Sequence, residues 1–396
     1  MVRRILLLCL TLLCGAAYGQ SCTTTLNAGA AVGTSISNAA AGDVICLNNG
    51  NYAGFTLNNV SKSPRVTVRA VNSGSATFTG EVSLTGSTNG MTFDGINYTG
   101  IGIRSGTQSN LTFKNGDASA GTVEIDAVTT TTPNILFENL THYDQDNTGF
   151  CWGSTVNCVG AGGYWFSYSG RSTPVATIRG ATIARGCADG IQSGVPFILE
   201  YSTISDKLVG SCINDPHTDA TQLYGGPFAG TIIRYNYYYN NAQVIAAYDG
   251  VEGVLIEHNV LDPGTSEPRP CQIELYSDDG SIVRNNTIII RGSDGQICFD
   301  KKTGFDDGVN SQVYNNIAQS ISVISSTLTT NTKNLLPGGG GTNITGTATF
   351  TGTCSGGAAN WRNCNLSGGS AGKNAGTDSK DVGTRFYGVR KPTGLN

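Results

Sequence analysis

Short runs of β-forming residues recur along the chain, with turn-forming residues between them and almost no helical periodicity. From residue 91 onward the repeated unit is two or three apolar residues, a polar pair and often an asparagine, at intervals mostly between 20 and 34 residues. The units are MTFDG (91–95), LTFKN (111–115), ILFEN (135–139), TIRGA (177–181), ILEYS (198–202), IIRYN (232–236), LIEHN (255–259), IVRNN (282–286) and QVYNN (312–316). This spacing is typical of a β-solenoid with one repeat per turn, and it predicts about eight to ten turns.

Asparagine is the last residue of six of these nine units. An asparagine adopts left-handed backbone geometry readily, and its amide can bond the turns above and below. We therefore predict one column of corner asparagines between strands, whereas the hairpins of a β-sandwich would favour two-residue Asn-Gly loops. The predicted column is Asn115, Asn139, Asn236, Asn259, Asn286 and Asn316.

Strand alternation sorts the later turns into a core face and an outer face. The inward set is Ile191, Thr221, Leu223, Ile245, Ala247, Ile273, Leu275, Ile297 and Phe299. The outward set is Gln192, Gln222, Glu274, Tyr224, Tyr248, Tyr276, Asp300 and Lys302. A tyrosine column beside a column of amides and a carboxylate predicts a surface that stacks sugar rings and bonds their hydroxyls. The alternative is stacking between turns that only stabilises the sheet.

The densest polar cluster runs from residue 214 to Asp219, with Asp189 one turn earlier. Within it, His217 lies between Asp215 and Asp219, which can orient the imidazole and raise its pKa. Such a base would abstract the proton next to a uronate carboxyl or activate water. The alternative is a turn that caps a strand. Asp189 and Asp219 would also serve as the carboxylate pair of a hydrolase, although the polygalacturonase-like motifs Asn-Thr-Asp, Gly-Asp-Asp and Gly-His-Gly are absent.

The first 19 residues predict a bacterial Sec signal peptide, because Arg3 and Arg4 precede an apolar run that ends in small residues. We therefore expect a secreted or periplasmic protein. The ten remaining cysteines predict disulfides, and pairing neighbours would staple one turn to the next. The neighbour pairs are Cys22 with Cys46, Cys151 with Cys158, Cys187 with Cys212, Cys271 with Cys298, and Cys354 with Cys364. No C-x2-C pair or Cys/His cluster points to a metal site.

Charge narrows the class of partner. Without Arg3 and Arg4, 22 basic side chains face 28 acidic ones, and no basic stripe typical of nucleic-acid binding is present. No apolar run after the leader is long enough to span a membrane. We expect a monomer with a polysaccharide partner, and an anionic substrate would have to be met by a few placed cations.

Residues 35–57 (SISNAAAGDVICLNNGNYAGFTL) place a short apolar turn before Gly42-Asp43, then a strand, then Gly50-Asn51-Tyr52. With the repeats, this stretch resembles the cap and coils of the pectate-lyase-like right-handed parallel β-helix superfamily, whose exported bacterial members act on polysaccharides. The resemblance implies an all-β right-handed parallel β-helix with an N-terminal cap over residues 20–335. It also implies a Gly/Ser-rich segment, residues 336–396, that packs on or caps the solenoid.

Lyases of this superfamily use Lys or Arg as base or carboxylate neutraliser, often with Ca²⁺. The resemblance implies Lys301, Lys302, Arg269 and Arg284 as cations, and Asp278, Asp279, Asp306 and Asp307 as calcium ligands. Asp215-Pro216-His217 resembles the Asp-Pro-His element of alginate C5-epimerases, without the Tyr-Gly-Phe that precedes it there.

The predicted function is cleavage of an acidic polysaccharide by β-elimination. Hydrolysis, uronate C5-epimerisation and non-catalytic glycan binding at a cell surface are the alternatives. No cofactor is firmly indicated, and Ca²⁺ stays open. The predicted catalytic set is His217, Asp219, Asp215, Asp189 and Lys301, and the predicted substrate-binding set is Gln192, Gln222, Tyr224, Tyr248, Glu274, Tyr276, Asp300, Lys302 and Arg269.

Overall fold

The computed structural model of the chain describes residues 21–119, 121–143, 163–167, 173–186, 188–209, 218–226, 228–266, 269–356 and 361–385. One α-helix, α1 (Val32–Asn38), lies near the start, and a short 3-10 helix (Trp361–Cys364) lies near the end. Every named strand pairs with its neighbours in parallel, and the strands are numbered in chain order. The described helix α1 has too few residues to cross a bilayer.

Sheet A contains 14 strands and runs the length of the fold. Its strands are β1 (Thr24–Leu26), β2 (Val44–Leu47), β5 (Ser61–Ala70), β8 (Asn89–Asp94), β11 (Ser109–Lys114), β13 (Ile135–Glu138), β16 (Ala176–Arg179), β19 (Ile198–Glu200), β22 (Ile232–Arg234), β25 (Leu255–Glu257), β28 (Ile282–Arg284), β31 (Gly308–Tyr314), β33 (Ser326–Leu336) and β34 (Thr342–Thr345). The pairing of β33 with β34 extends sheet A past residue 335.

Sheet B contains 11 strands. They are β4 (Phe55–Asn58), β7 (Val82–Gly86), β10 (Ile101–Gly106), β12 (Val123–Val128), β15 (Tyr164–Phe166), β18 (Ile191–Ser193), β21 (Thr221–Leu223), β24 (Ile245–Ala247), β27 (Cys271–Tyr276), β30 (Gln296–Asp300) and β32 (Ile321–Val323). Between one strand of sheet A and the next strand of sheet B the chain usually forms a strand of one of two shorter sheets, and it passes through sheets A and B once per turn.

Two shorter sheets complete the turns. Sheet C contains six strands, β14 (Thr141–Tyr143), β17 (Thr182–Ala184), β20 (Thr203–Ser205), β23 (Tyr237–Tyr239), β26 (Val260–Asp262) and β29 (Thr287–Ile288). Sheet D contains three, β3 (Gly50–Tyr52), β6 (Ala76–Phe78) and β9 (Ile96–Tyr98). The arrangement confirms the predicted all-β, right-handed parallel β-helix.

The core lies between the sheets, where inward side chains of successive turns pack on each other. All nine residues predicted to point inward are buried, with exposed fractions of 0% or 1%. Phe93, Phe113 and Phe137 stack along the axis, with ring centroids 4.9 and 5.5 Å apart. At the N-terminal end, Val32 and Ile36 of α1 are buried in the same cluster. Burial of this apolar surface is the main stabilising contribution to such a fold.

The asparagine column differs from the prediction by one position. Asn115 and Asn139 do adopt left-handed geometry, with φ of 57° and 52°. In the later turns, however, the left-handed residue precedes the aligned asparagine: Tyr235, His258, Asn285 and Asn315 have φ between 56° and 59°. The single predicted column is therefore wrong, because sheet A pairs Glu138 with Arg179 and thus places Asn139 one position before the later asparagines.

The later asparagines form their own buried ladder. Asn236, Asn259, Asn286 and Asn316 have exposed fractions of 0%. In each of them the backbone N–H and the Nδ2–H both donate to Oδ1 of the asparagine one turn on, at 2.9–3.0 Å. The chain of bonds continues through Asn334 to Asn343. The predicted bonding between turns is thus present, at a corner position without positive φ.

The outward side of sheet A carries a column of alternating charge. Its register aligns Arg69, Asp94, Lys114, Glu138, Arg179, Glu200, Arg234, Glu257 and Arg284 on successive turns. Glu200, only 2% exposed, accepts from Arg179 Nε at 2.7 Å and from Arg234 at 2.7–2.9 Å. Because opposite charges pair across neighbouring strands, the column stabilises the sheet.

Three of the predicted disulfides are confirmed: Cys22–Cys46, Cys271–Cys298 and Cys354–Cys364. The second joins β27 to β30 on adjacent turns, as neighbour pairing requires. The other two pairs, and the predicted signal peptide, lie outside the described residues. Disulfides persist in oxidising compartments, and the three bonds therefore indicate a secreted protein.

Candidate functional site

The outer face of sheet B brings most of the predicted substrate-binding residues together. Five residues share one strand position on five successive turns of sheet B. They are Trp165, Gln192, Gln222, Ala246 and Glu274. We name these five residues the amide column. Gln192 Nε2 donates to Gln222 Oε1 at 2.7 Å, and both side chains are half-buried. This part of the face is polar and carries no formal charge until Glu274.

The three predicted tyrosines form a second column, two positions further along each turn. They are half-buried, but they do not stack as one continuous ladder. Tyr224 Oη accepts from Trp165 Nε1 at 3.2 Å, toward the N-terminal turns. Tyr248 instead meets Tyr276 edge to face, with ring centroids 5.2 Å apart and planes at 85°. Tyr224 is thus paired with earlier turns and Tyr248 with later ones.

A pocket of about 290 Å³ opens where Tyr248 and Tyr276 meet the amide column. Its lining residues are Gln243, Tyr248, Arg269, Pro270, Cys271, Glu274 and Tyr276. Glu274 is held from two sides, because its Oε2 accepts from Gln243 Nε2 and, at 3.4 Å, from Tyr248 Oη. The small side chain of Ala246 lies fully buried between these turns.

The phenols around the pocket remain protonated over the physiological range. Burial raises the pKa of Tyr248 well above its usual value, and the nearby charges of Asp219 and Glu274 raise it further. Burial and the hydrogen bond with Glu274 raise the pKa of Tyr276 to about 12. Burial also raises the pKa of Tyr224. These hydroxyls can therefore donate hydrogen bonds to a bound sugar.

The predicted cations differ in what they contact. Lys301 is exposed and pairs with Asp307 at 2.6 Å, and Lys302 pairs with Asp249. Arg269 is exposed beside the pocket and forms no ion pair within the described part of the chain. Of the four candidate cations, Arg269 is accordingly the one best placed to receive an anion from solvent.

Two predicted residues lie at the edges of this arrangement. Arg284 belongs to the charge column of sheet A, where it pairs with Glu257 at 2.7 Å on a different face from the pocket. Asp300 continues the tyrosine column and accepts from the Lys301 backbone N–H at 2.7 Å. Asp300 and the two lysines thus border the face on its C-terminal side.

The predicted catalytic cluster is described only in part. Asp219 is buried, and its backbone N–H donates to Asp189 Oδ1 at 2.7 Å, so the two aspartates do meet across adjacent turns. Asp215 and His217 lie outside the described residues. In sequence, His217 is two positions before Asp219, whose charge reaches the Tyr248 phenol.

The aspartates considered as calcium ligands do not converge. Asp278 is buried and accepts hydrogen bonds from the hydroxyls of Ser281 and Ser311. Burial raises the pKa of its carboxyl to about 6. Asp279 accepts from Asn310, and Asp307 pairs with Lys301. Across the described ranges, no group of three or more His, Cys, Asp or Glu side chains is arranged to hold a metal ion. These residues do not fit a calcium site.

Two residues of the site were missed by the sequence reasoning. Trp165 was not among the predicted site residues, although the alternation Tyr164-Trp165-Phe166 indicates a strand with Trp165 outward. Gln243 lies two residues before Ile245, and Asp219 lies two residues before Thr221. Because Ile245 pairs with Thr221, Gln243 and Asp219 occupy equivalent positions on adjacent turns. Aligning the turns two residues further upstream would have placed Gln243 beside the site.

Comparison with solved structures agrees with this architecture. A mutant of the PL6-family alginate lyase AlyGC matches with a TM-score of 0.56 and 14% identity, over 93% of this chain and 59% of that one. The two chains share the parallel β-helix fold. This chain spans 59% of the length of that lyase, and at this identity the likeness concerns the fold alone.

Two further structures were found. Pectate lyase Pel9A matches with a TM-score of 0.44 and 14% identity, over 92% of this chain and 96% of that one. The alginate lyase AlyF-OU02 matches with a TM-score of 0.49 and 13% identity, over 92% of both chains. No protein-family model and no curated protein sequence matches the chain.

Proposed function

We propose that the outer face of sheet B cleaves an acidic polysaccharide by β-elimination. The observation that carries the proposal is Arg269, an exposed guanidinium without an ion pair among the described residues, at the rim of a pocket lined by Glu274, Tyr248 and Tyr276. A guanidinium matches a carboxylate with two parallel hydrogen bonds. The rest of the face offers amides and phenols, which suit sugar hydroxyls.

β-Elimination from a uronate requires a base, a proton donor for the leaving oxygen and a group that neutralises the carboxylate. A base takes the proton next to the carboxyl, the electron pair forms a carbon–carbon double bond, and the bond to the glycosidic oxygen breaks. The leaving oxygen then takes up a proton. Neutralising the carboxylate stabilises the negative charge that builds up as the proton leaves.

In this proposal Arg269 binds the uronate carboxylate, and His217 is the base. The Tyr248 phenol, which its raised pKa keeps protonated, turns its hydroxyl from Glu274 to the leaving oxygen and donates its proton there. Glu274 positions Tyr248 through its hydrogen bond at 3.4 Å. Gln192 and Gln222 hold the neighbouring sugars, and Asp219 and Asp215 orient His217 from within its own segment. Lys301 and Lys302, which are already paired with carboxylates, border the site.

The direct test is ultraviolet absorbance of the unsaturated uronate end during incubation with alginate, pectate and other uronic-acid polymers. We expect the parent protein to generate the absorbance on one of them. Arg269→Ala should lower kcat/KM by about a hundredfold or more, since a charge-assisted bidentate contact to the reacting group is lost. Arg269→Lys should recover part of the rate, and His217→Ala should abolish it.

The matched control is Arg65→Ala, which removes the same charge from an exposed arginine of sheet A that bonds only Thr112 among described side chains. It should leave the rate unchanged. Equal rates for Arg269→Ala and Arg65→Ala would contradict the role given to Arg269. Absence of absorbance on every polymer would contradict elimination itself.

Hydrolysis is the second candidate, because two carboxylates act on one phenol. Asp219 and Glu274 both raise the pKa of Tyr248, and they belong to turns that lie two rungs apart. New reducing ends without ultraviolet absorbance, lost in Glu274→Gln, would favour this candidate.

A further inference from the structure

Trp165 lies on the outer face of sheet B at a distance from the pocket. Its strand alternates, with Tyr164 and Phe166 buried at 1% and 0% exposure and Trp165 half-buried between them on the outside. An indole on the solvent side of a parallel sheet is a large apolar surface where polar residues are usual. The part of the indole that faces outward can stack on the apolar face of a sugar ring.

The indole is held in one orientation. Trp165 Nε1–H donates to Tyr224 Oη at 3.2 Å across two turns. The Tyr224 ring reaches this position over Gly194, where an added Cβ would stand 3.4 Å from the ring carbon Cζ. A side chain fixed before binding loses little conformational entropy when a ligand stacks on it.

Trp165 is also in line with the pocket. It heads the amide column, with Gln192 and Gln222 on the next two turns and Ala246 on the third. At the spacing of parallel strands, Trp165 lies about 14 Å from Ala246 and about 19 Å from Glu274 along the axis. The intervening side chains of the column are neutral amides, which bond hydroxyls and carboxylates alike.

On the next turn toward the N-terminus, the outer face of sheet B carries charged side chains in place of neutral amides. Glu124 pairs with Trp165 in register, and Arg104 bridges Glu124 to Glu81. Two carboxylates share one guanidinium there, and the local charge is therefore negative. An anionic polymer is repelled by such a cluster, so the surface that favours it ends at Trp165.

We propose that Trp165 is a sugar-stacking platform, a distal subsite for an oligouronate that runs along the amide column from the Arg269 pocket. The apolar face of a pyranose ring packs on the indole, while Gln192 and Gln222 bond the sugars between the two sites. The proposal rests on the proposed function for its choice of ligand. It adds the direction of the bound chain and the residue that limits its length.

The test measures affinity against chain length by calorimetry. Oligomannuronates, oligoguluronates and oligogalacturonates, from disaccharide to decasaccharide, are titrated into the full chain carrying His217→Ala to stop turnover. We expect affinity to step up at the length that first reaches Trp165. Adding Trp165→Ala should weaken the long oligomers by about tenfold and leave the disaccharide unchanged.

Two further variants keep the test valid if Trp165→Ala does not fold. Trp165→Phe retains an aromatic platform and should preserve most of the step. Tyr224→Phe removes the hydroxyl that accepts from the indole and should reduce the step. An identical length dependence in the parent and in the folded Trp165 and Tyr224 variants would overturn the subsite.

The outcome separates this proposal from the proposed function. Ultraviolet absorbance from the parent, with no effect of Trp165→Ala on length dependence, leaves elimination standing and removes the subsite. A Trp165-dependent step without ultraviolet absorbance keeps the subsite and removes elimination. No binding of any of these oligouronates at any length overturns the subsite.

Discussion

Replacing one asparagine of the buried ladder should cost more stability than its size suggests. Asn259 is fully buried, and its Oδ1 accepts from the Asn236 backbone N–H and Nδ2, both at 3.0 Å. Its Nδ2 donates to the Ile233 carbonyl at 2.8 Å and to Asn286 Oδ1 at 3.0 Å. Asn259→Ala removes all four hydrogen bonds at once.

The magnitude follows from the groups that are left without a partner. Asn236 Nδ2 keeps its bond to Leu199, and Asn286 Oδ1 still accepts from the Asn259 backbone N–H. The Asn236 backbone N–H loses its acceptor, which costs about 1–3 kcal/mol, and the carbonyl of Ile233 in β22 loses one bond worth about 1 kcal/mol. We therefore expect the free energy of unfolding to fall by about 2–4 kcal/mol.

Guanidinium unfolding followed by circular dichroism measures this loss as a lower midpoint at unchanged slope. The matched control is Asn72→Ala, which removes one asparagine from an exposed Asn–Asn pair bonded at 2.9 Å to Asn49. The control should change stability by less than about 0.5 kcal/mol. Equal losses for the two variants would refute the argument that burial of the ladder makes it stabilising.

Two further predictions concern buried charge. Burial and the charge of Lys207 lower the pKa of His142 from 6.5 to about 4. The unfolded chain then binds more protons between these values, so the contribution of His142 to stability should be complete above pH 6.5 and fall by about 3 kcal/mol toward pH 4. His142→Gln should remove this part of the fall in denaturant midpoints. Glu200→Gln should lower the free energy of unfolding by about 1–2 kcal/mol, because a buried carboxylate that pairs with two arginines is lost. The loss stays small because both arginines are over a third exposed. As a comparison, Asp94→Asn, which breaks an ion pair at 3.1 Å, should cost under about 1 kcal/mol in the same assay.

Most of the fold could be predicted from the sequence, because a solenoid repeats the same alternation of inward and outward residues on every turn. Ile191, Ile245 and Ile273 share one inward position on different turns, and the alternation around each is strict. The asparagine ladder was misaligned because repeat units were matched by their last letter. Hydrogen bonding sets the register through β13 and β16 instead, and a shift of one position there moved Asn139 out of line with Asn236.

The candidate site was readable only where it follows the strand period. Gln192, Gln222 and Glu274 lie where alternation puts them. Arg269 lies two residues before β27, outside any strand. The alternation of strand residues therefore does not predict that it lines the pocket with Tyr248. Side-chain direction is likewise beyond the pattern, since Tyr224 and Tyr248 occupy equivalent positions yet contact opposite neighbours.

The two long sheets show why function belongs to one face of the helix. On sheet A the column from Arg69 to Arg284 alternates in sign from turn to turn, and Glu200, for example, pairs with Arg179 and Arg234, so the charges of that column largely neutralise one another. On sheet B the outward positions hold an indole, amides and phenols, and the cation beside them has no ion pair within the described residues. A polymer of charged sugars gains little from a surface already neutralised by its own pairs. It gains from hydrogen-bond donors and one available guanidinium, and sheet B offers both.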